Sequence, residues 1–153
     1  LNGSTGSGKT TILDLLTGIL TPHSGEILID DIRLTNDNKI NWIKNIGYVT
    51  QNVFFIEGSI RDNIIFGRKK YDEAFLNKVT EIALVNRFLN KKNLDLSALV
   101  EENGANFSGG QLQSIAISRS ILTNPSLLIL DEATNAMDED LEKDLITSLK
   151  LNL

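Results

Sequence analysis

Gly3-Ser4-Thr5-Gly6-Ser7-Gly8-Lys9-Thr10 fits G-x-x-x-x-G-K-[ST] at every fixed position, and this stretch decides the fold class. Glycines at this spacing let successive backbone N–H groups point into one concavity. The helix that follows adds its N-terminal amides, so the loop suits phosphate oxygens and is read as a P-loop. Lys9 contributes a point charge for the β and γ phosphates of a nucleotide, and the Thr10 hydroxyl can ligate Mg²⁺.

Outward from this loop the periodicities alternate, as in an α/β chain. Leu13, Leu16 and Leu20 repeat at helical spacing, and Thr21-Pro22-His23-Ser24-Gly25 supplies a turn to end that helix. Glu26 to Ile29 is a short strand candidate. Ile46 to Thr50 is a second, rich in β-formers before polar residues break the run. Phe75, Leu76, Val79, Ile82 and Ala83 mark one helical face; Leu112, Ile115, Ala116, Arg119 and Leu122 mark another. Leu127-Leu128-Ile129-Leu130 stands between Asn124-Pro125 and Asp131-Glu132, the pattern of a strand buried on both faces in a parallel sheet. Glu139 to Leu149 is the last predicted helix.

Composition narrows the classes of function. The chain has 153 residues, 41% of them hydrophobic and 23% charged, a net charge of -5 and no cysteine. That length suits about one domain with a single core. Without cysteine, disulfide frameworks, thiolate metal sites and cysteine nucleophiles are excluded, a composition compatible with a reducing compartment. The acidic balance argues against a broad nucleic-acid footprint, so any bound anion must be held by local geometry. The longest apolar run is four residues, against the roughly 20 of a spanning helix. Leu1 is not a methionine, and the loop begins at Gly3 with no room for the strand that such a loop normally follows. At the other end Lys150-Leu151-Asn152-Leu153 stops directly after a helical pattern, so the chain reads as an internal fragment, truncated at both ends.

A P-loop enzyme needs an acid that holds Mg²⁺ and orients water, normally at the end of a buried strand. Asp131 ends the apolar run and fits the metal-facing carboxylate; Glu132 beside it is placed to accept a proton from attacking water. Alone, such a pair could also cap a helix after a core strand. Phe107-Ser108-Gly109-Gly110-Gln111 lies between the two motifs and precedes a helix, which puts the Ser108 hydroxyl at a helix N-terminus suited to a phosphate.

With these three motifs in this order, the chain resembles the nucleotide-binding domain of ATP-binding cassette (ABC) transporters, with Phe107 where leucine is commoner in the signature loop. Tyr48-Val49-Thr50-Gln51 resembles the Q-loop, and the stretch Phe54 to Ile64 is similar to the segment that follows it in exporters. Val100-Glu101-Glu102-Asn103-Gly104 is similar to the exporter loop before the signature, with Glu101 where glycine and Asn103 where arginine are usual. Ala133-Thr134-Asn135-Ala136-Met137-Asp138 resembles the D-loop, with Asn135 for serine and Met137 for leucine. Leu112 stands where arginine or lysine often follows the signature glutamine.

The resemblance implies an α/β fold: a P-loop NTPase core with a parallel sheet at about residues 1–51 and 124–153, and an inserted helical subdomain at about 52–123, the whole incomplete. It implies ATP and Mg²⁺ as cofactors. Nucleotide contacts would come from Gly3, Ser4, Thr5, Gly6, Ser7, Gly8, Lys9, Thr10 and Thr11, metal contacts from Thr10, Gln51 and Asp131, and catalytic roles from Glu132, Gln51 and Lys9. Two such domains, identical or different, would face head to tail, so that each ATP lies between one P-loop and Ser108 and Gly110 of the other chain; Gly109, Gln111 and Asp138 are further implied nucleotide contacts. Closure would be relayed to transmembrane domains in the same full-length chain, at the cytoplasmic face of a membrane, to power export; no nucleic acid is expected. Two other readings stay open. One is a soluble cassette ATPase acting on ribosomes or DNA, against which Phe54 to Ile64 and Glu102 stand. The other is a regulatory half without turnover, against which Glu132 stands. His23 lies far before Glu132, whereas the family's switch histidine follows the D-loop helix, so it is given no catalytic role. Trp42, between Asn41 and Ile43, is expected to be partly buried in the core.

Overall fold

The computed structural model describes residues 6–153, so Gly3, Ser4 and Thr5 lie outside the described residues. The chain divides into two compact units, the first ending at Ile46 and the second running from Gly47 to Leu153.

In the first unit α1 (Lys9–Leu16) ends sooner than the leucine spacing predicts. Gly18 takes φ 77°, its N–H donates to the Leu15 carbonyl at 3.0 Å, and Thr17 Oγ1 donates to the Asp14 carbonyl at 3.2 Å. These bonds close the last turn, and Leu20 falls beyond the helix. The strand predicted over Glu26 to Ile29 is confined to its last two residues, β1 (Leu28–Ile29). It pairs antiparallel with β2 (Ile32–Arg33), Leu28 opposite Arg33 and Ile29 opposite Ile32. Asp30 and Asp31 between them both have positive φ, 49° and 63°, the type I′ turn whose twist matches the flanking strands. α2 (Lys39–Ile43) carries half-buried Trp42, whose indole N–H donates to the Leu16 carbonyl at 2.8 Å and ties α2 to the end of α1.

The second unit takes in β3 (Ile46–Val49) from Gly47 onward, β4 (Gly58–Ser59), α3 (Ile60–Ile65), α4 (Glu73–Ile82) and α5 (Val85–Lys92). β5 (Leu99–Val100), a 3₁₀ turn at Glu102–Gly104, α6 (Gly109–Ile121), β6 (Leu127–Leu130) and α7 (Glu139–Asn152) follow. β3 and β6 are hydrogen-bonded neighbours, and the Asp131 N–H donates to the Val49 carbonyl at 2.9 Å. The carboxyl ends of the two strands therefore lie together, as a parallel pair joined by a helical crossover requires. β4 and β5 form a short antiparallel ladder, Gly58 opposite Val100 and Ser59 opposite Leu99. α3 starts in a capping box: Ser59 Oγ accepts from the Asp62 N–H at 3.0 Å, and Asp62 Oδ2 accepts from the Ser59 N–H at 2.9 Å. Hydrogen bonds from the Ser59 hydroxyl and then its N–H hold the Asp62 carboxyl below its ordinary pKa.

α6 is the centre of this unit. Its Ile115, Ile117 and Ile121 are fully buried, together with Ile60 and Ile64 of α3, Leu76 and Val79 of α4, Val85 of α5 and Leu145 of α7. Each such side chain contributes about 1.5–3 kcal/mol on burial. A helix enclosed on most sides must also satisfy its polar groups, and Ser118 Oγ does so by donating to the Ser114 carbonyl at 3.1 Å. Among the described residues no buried side-chain polar atom lacks a partner. β6 is less enclosed than its sequence predicts: Ile129 is buried, but Leu127, Leu128 and Leu130 are half-buried. The reason is that β3 is its one hydrogen-bonded neighbour among the described residues. No described helix is long and apolar enough to cross a membrane.

Candidate functional site

In the first unit the glycine-rich motif turns on two glycines. Gly6 and Gly8 have φ 80° and 86°, and Gly8 is the residue from which α1 departs. A side chain at either position would be strained, since only glycine adopts this region freely. Lys9 and Thr10 are then the first helical residues, with Thr11 after them; Lys9 is half-buried and both threonines are exposed. No side chain caps this helix, and its first turn holds no acid. The positive end of the helix is thus presented without a carboxylate of its own, the arrangement in which an anion binds. His23 is exposed in the turn after the helix.

In the second unit the parallel pair brings three of the predicted residues to one edge. Gln51 follows the end of β3, while Asp131 and Glu132 follow the end of β6, and ligands of α/β sheets bind at the carboxyl ends of such strands. Tyr48 on β3 donates its hydroxyl hydrogen to Asp131 Oδ2 at 3.3 Å and orients that carboxylate. Glu132 has φ 55°, a left-handed conformation that costs a residue with a side chain about 1–3 kcal/mol. Asn135 holds it there. Its Nδ2 donates to Glu132 Oε2 at 3.2 Å, and its N–H donates to the Glu132 carbonyl at 3.3 Å. The side chain of Glu132 is exposed, so a solvent molecule can reach it.

The signature loop is built as a helix start. Ser108 caps α6, its Oγ accepting from the Gln111 N–H at 3.4 Å, while Gln111 Oε1 accepts from the Ser108 N–H at 3.1 Å and from Lys92 Nζ at 3.4 Å. Gln111 is therefore engaged within the chain, whereas Ser108 uses its oxygen in the cap and keeps a hydroxyl hydrogen to donate. Phe107 is buried, edge-on to Phe88 at 5.8 Å, which explains why an aromatic serves where an aliphatic is commoner. Both glycines allow a close approach of the following loop. A Cβ on Gly109 would lie 2.7 Å from Ala136 Cβ, and one on Gly110 would lie 3.2 Å from the Ala136 carbonyl. Gln113 Oε1 accepts from the Ala136 N–H at 3.3 Å and fixes the same contact. Asp138 caps α7 by accepting from the Leu141 N–H at 2.8 Å. Ser108, Gln111 and Asp138 meet around one cleft of about 290 Å³, with Arg87, Phe88 and Lys91 on its other side.

Tyr48 and Asn135, which orient the two acids, have no role assigned from sequence. The available signal is position: each belongs to a quoted motif, one on the strand beside Asp131 and one a helical turn after Glu132.

A family model described as "ABC transporter" matches residues 1–135. The chain is similar to ABC transporter B family member 21 of Arabidopsis thaliana, 40% identical over 144 residues, which are 94% of this chain and 11% of that protein. It is similar to the ATP-dependent lipid A-core flippase of Aliivibrio fischeri, 38% identical over 150 residues, 97% of this chain and 26% of that protein. Among solved structures, a bacterial Atm1-family ABC exporter with ATP bound superposes with a TM-score of 0.87 at 30% identity, covering 98% of this chain and 26% of that one. The chain thus spans about a tenth to a quarter of the length of the relatives it matches. The family match runs through the glycine-rich loop, the capped signature helix and the Asp131-Glu132 strand end, and the backbone follows that of an exporter: the chain belongs to the ABC transporter family.

Proposed function

We propose that the full-length protein bearing this chain binds and hydrolyses ATP with Mg²⁺, and that two domains of this kind, working head to tail on the cytoplasmic face of a membrane, drive export through transmembrane domains. The observation that carries the nucleotide reading is the start of α1, where Gly8 at φ 86° opens a helix with no side-chain cap and no acid in its first turn. Lys9 there adds its charge toward the β and γ phosphates.

The first unit offers a metal the Thr10 hydroxyl, and the second the Gln51 amide and the Asp131 carboxylate, all oxygen donors. That set fits Mg²⁺, which is habitually held by one or two carboxylates together with substrate phosphates. When bound, the ion would offset charge on the phosphoryl oxygens. In this reading Asp131, oriented by Tyr48, would hold the metal and Gln51 orients water; Glu132 takes a proton from that water as its oxygen bonds the γ-phosphorus and the bond from that phosphorus to the β–γ bridging oxygen breaks, with ADP leaving. Ser108 donates its hydroxyl to the γ-phosphate on the opposite domain, so loss of that phosphate removes a contact that favours closure. The flippase relative and the exporter structure support export over action on ribosomes or DNA.

The test is phosphate release from ATP by the full-length protein. Release is expected with Mg²⁺ present and is expected to fall to background when EDTA removes it. Undiminished release in EDTA would overturn the metal assignment, and no release under any condition would overturn hydrolysis.

A further inference from the structure

Arg119 lies eleven residues beyond Ser108 on α6, about 16 Å along the helix. It stands on a face otherwise made of Ile115, Ala116 and Leu122, and no carboxylate pairs with it among the described residues. Its guanidinium is turned instead to backbone and amide acceptors. Nε donates to the Asn63 carbonyl at 2.7 Å, Nη1 to the Phe54 carbonyl at 2.8 Å and Nη2 to Asn63 Oδ1 at 3.2 Å. The same group lies 4.6 Å from the ring centre of Phe66 and 5.3 Å from that of Phe55. Burial, then the charge of Arg68, pushes its pKa down to about 10.

Asn63 completes the network. It is fully buried and uses its whole side chain: Nδ2 donates to the Ile56 carbonyl at 2.9 Å and the Ser59 carbonyl at 3.1 Å, while Oδ1 accepts from the Ile56 N–H at 3.0 Å and from Arg119. The stretch from Phe54 to Ser59, which begins three residues after Gln51 and ends in β4, is thereby hung on α6 through two side chains. An apolar residue of similar size would fill the space without the desolvation penalty of a cation. What the guanidinium adds is a rigid fork aimed at three acceptors on two segments.

We propose that Arg119 is a positioning residue through which α6 carries the Phe54–Ser59 segment with it, so that engagement of Ser108 at one end of the helix is felt beside Gln51 at the other. The proposal rests on the reading above that Ser108 meets a nucleotide. Three Arg119 hydrogen bonds of 2.7, 2.8 and 3.2 Å tie α6 to Asn63 and to the Phe54 carbonyl, so a displacement of the helix is passed to both.

The experiment is amide hydrogen exchange on the full-length protein with and without Mg-ATP, in a Glu132→Gln background that holds ATP. With Arg119 intact, ATP is expected to slow exchange at residues 108–115 and at 54–59. In Arg119→Lys, which keeps the charge but offers a single point donor, slowing at 108–115 should persist while that at 54–59 shrinks about tenfold. Arg119→Met, which keeps bulk without the fork, should show the same split. With Glu132 in place, either variant should lower kcat with the KM for ATP unchanged. Retention of both effects in the variants would overturn the proposal, and so would loss of both, which would make Arg119 a folding residue only. Absence of slowing at 108–115 with Arg119 intact would instead overturn the role of Ser108, and the coupling with it.

Discussion

Replacing Glu132 by glutamine in the full-length protein is expected to lower ATP turnover about 10²- to 10⁴-fold while ATP stays bound. The amide has the shape of the carboxylate, its oxygen can still accept the bond from Asn135 Nδ2, and the left-handed backbone at this position need not change. What is lost is the capacity to take a proton. The change therefore separates chemistry from folding more cleanly than Glu132→Ala, which would also release Asn135. Phosphate release and retained nucleotide, measured on the same preparation, check it; near-normal turnover would remove Glu132 as the base.

Lys9→Ala should fail differently. The lysine is half-buried at the first position of α1, where its ammonium adds to the positive end of the helix, and hydrogen bonds to charged groups contribute about 1.5–3 kcal/mol. Affinity for ATP is expected to fall about 10- to 100-fold. Equilibrium binding of a fluorescent ATP analogue measures this directly, and unchanged affinity together with lost turnover would move Lys9 from binding to chemistry alone. The contrast between the two variants matters more than either alone, because a general loss of fold would depress both quantities together.

The placement of these residues was legible in the sequence because local patterns mark it. Glycines precede the first helix, an acid follows an apolar strand, and a serine starts a helix. The conformation of Glu132 was not legible, since nothing in a residue's identity announces a positive φ when it is not glycine. Arg119 was half legible: its distance from Ile115 and Leu122 places a charge on an apolar face, which signals a buried partner. The partners themselves, 56 and 65 residues away, lie outside any local pattern. The β4–β5 ladder is hidden for the same reason, two residues pairing with two across a helical insertion. The Asp30-Asp31 turn and the Ser59 capping box had local signals that strand and helix periodicity passed over, because both act at element ends rather than along them.

Whether Ser108 serves the nucleotide of a second domain is the central claim, and occupancy in mixed pairs tests it most directly. Full-length chains with different tags, all carrying Glu132→Gln to hold ATP, are paired and purified. In one pairing a Lys9→Ala chain meets a Ser108→Arg chain; in the other an otherwise unchanged chain meets one carrying both substitutions. If the site is shared head to tail, the first pairing concentrates both lesions in one site and retains ATP in the other, whereas the second damages each site once and retains none. If Ser108 serves its own chain, the pattern reverses. Retained ATP in the first pairing and none in the second is the result expected here; the reverse, or equal retention in both, would contradict it.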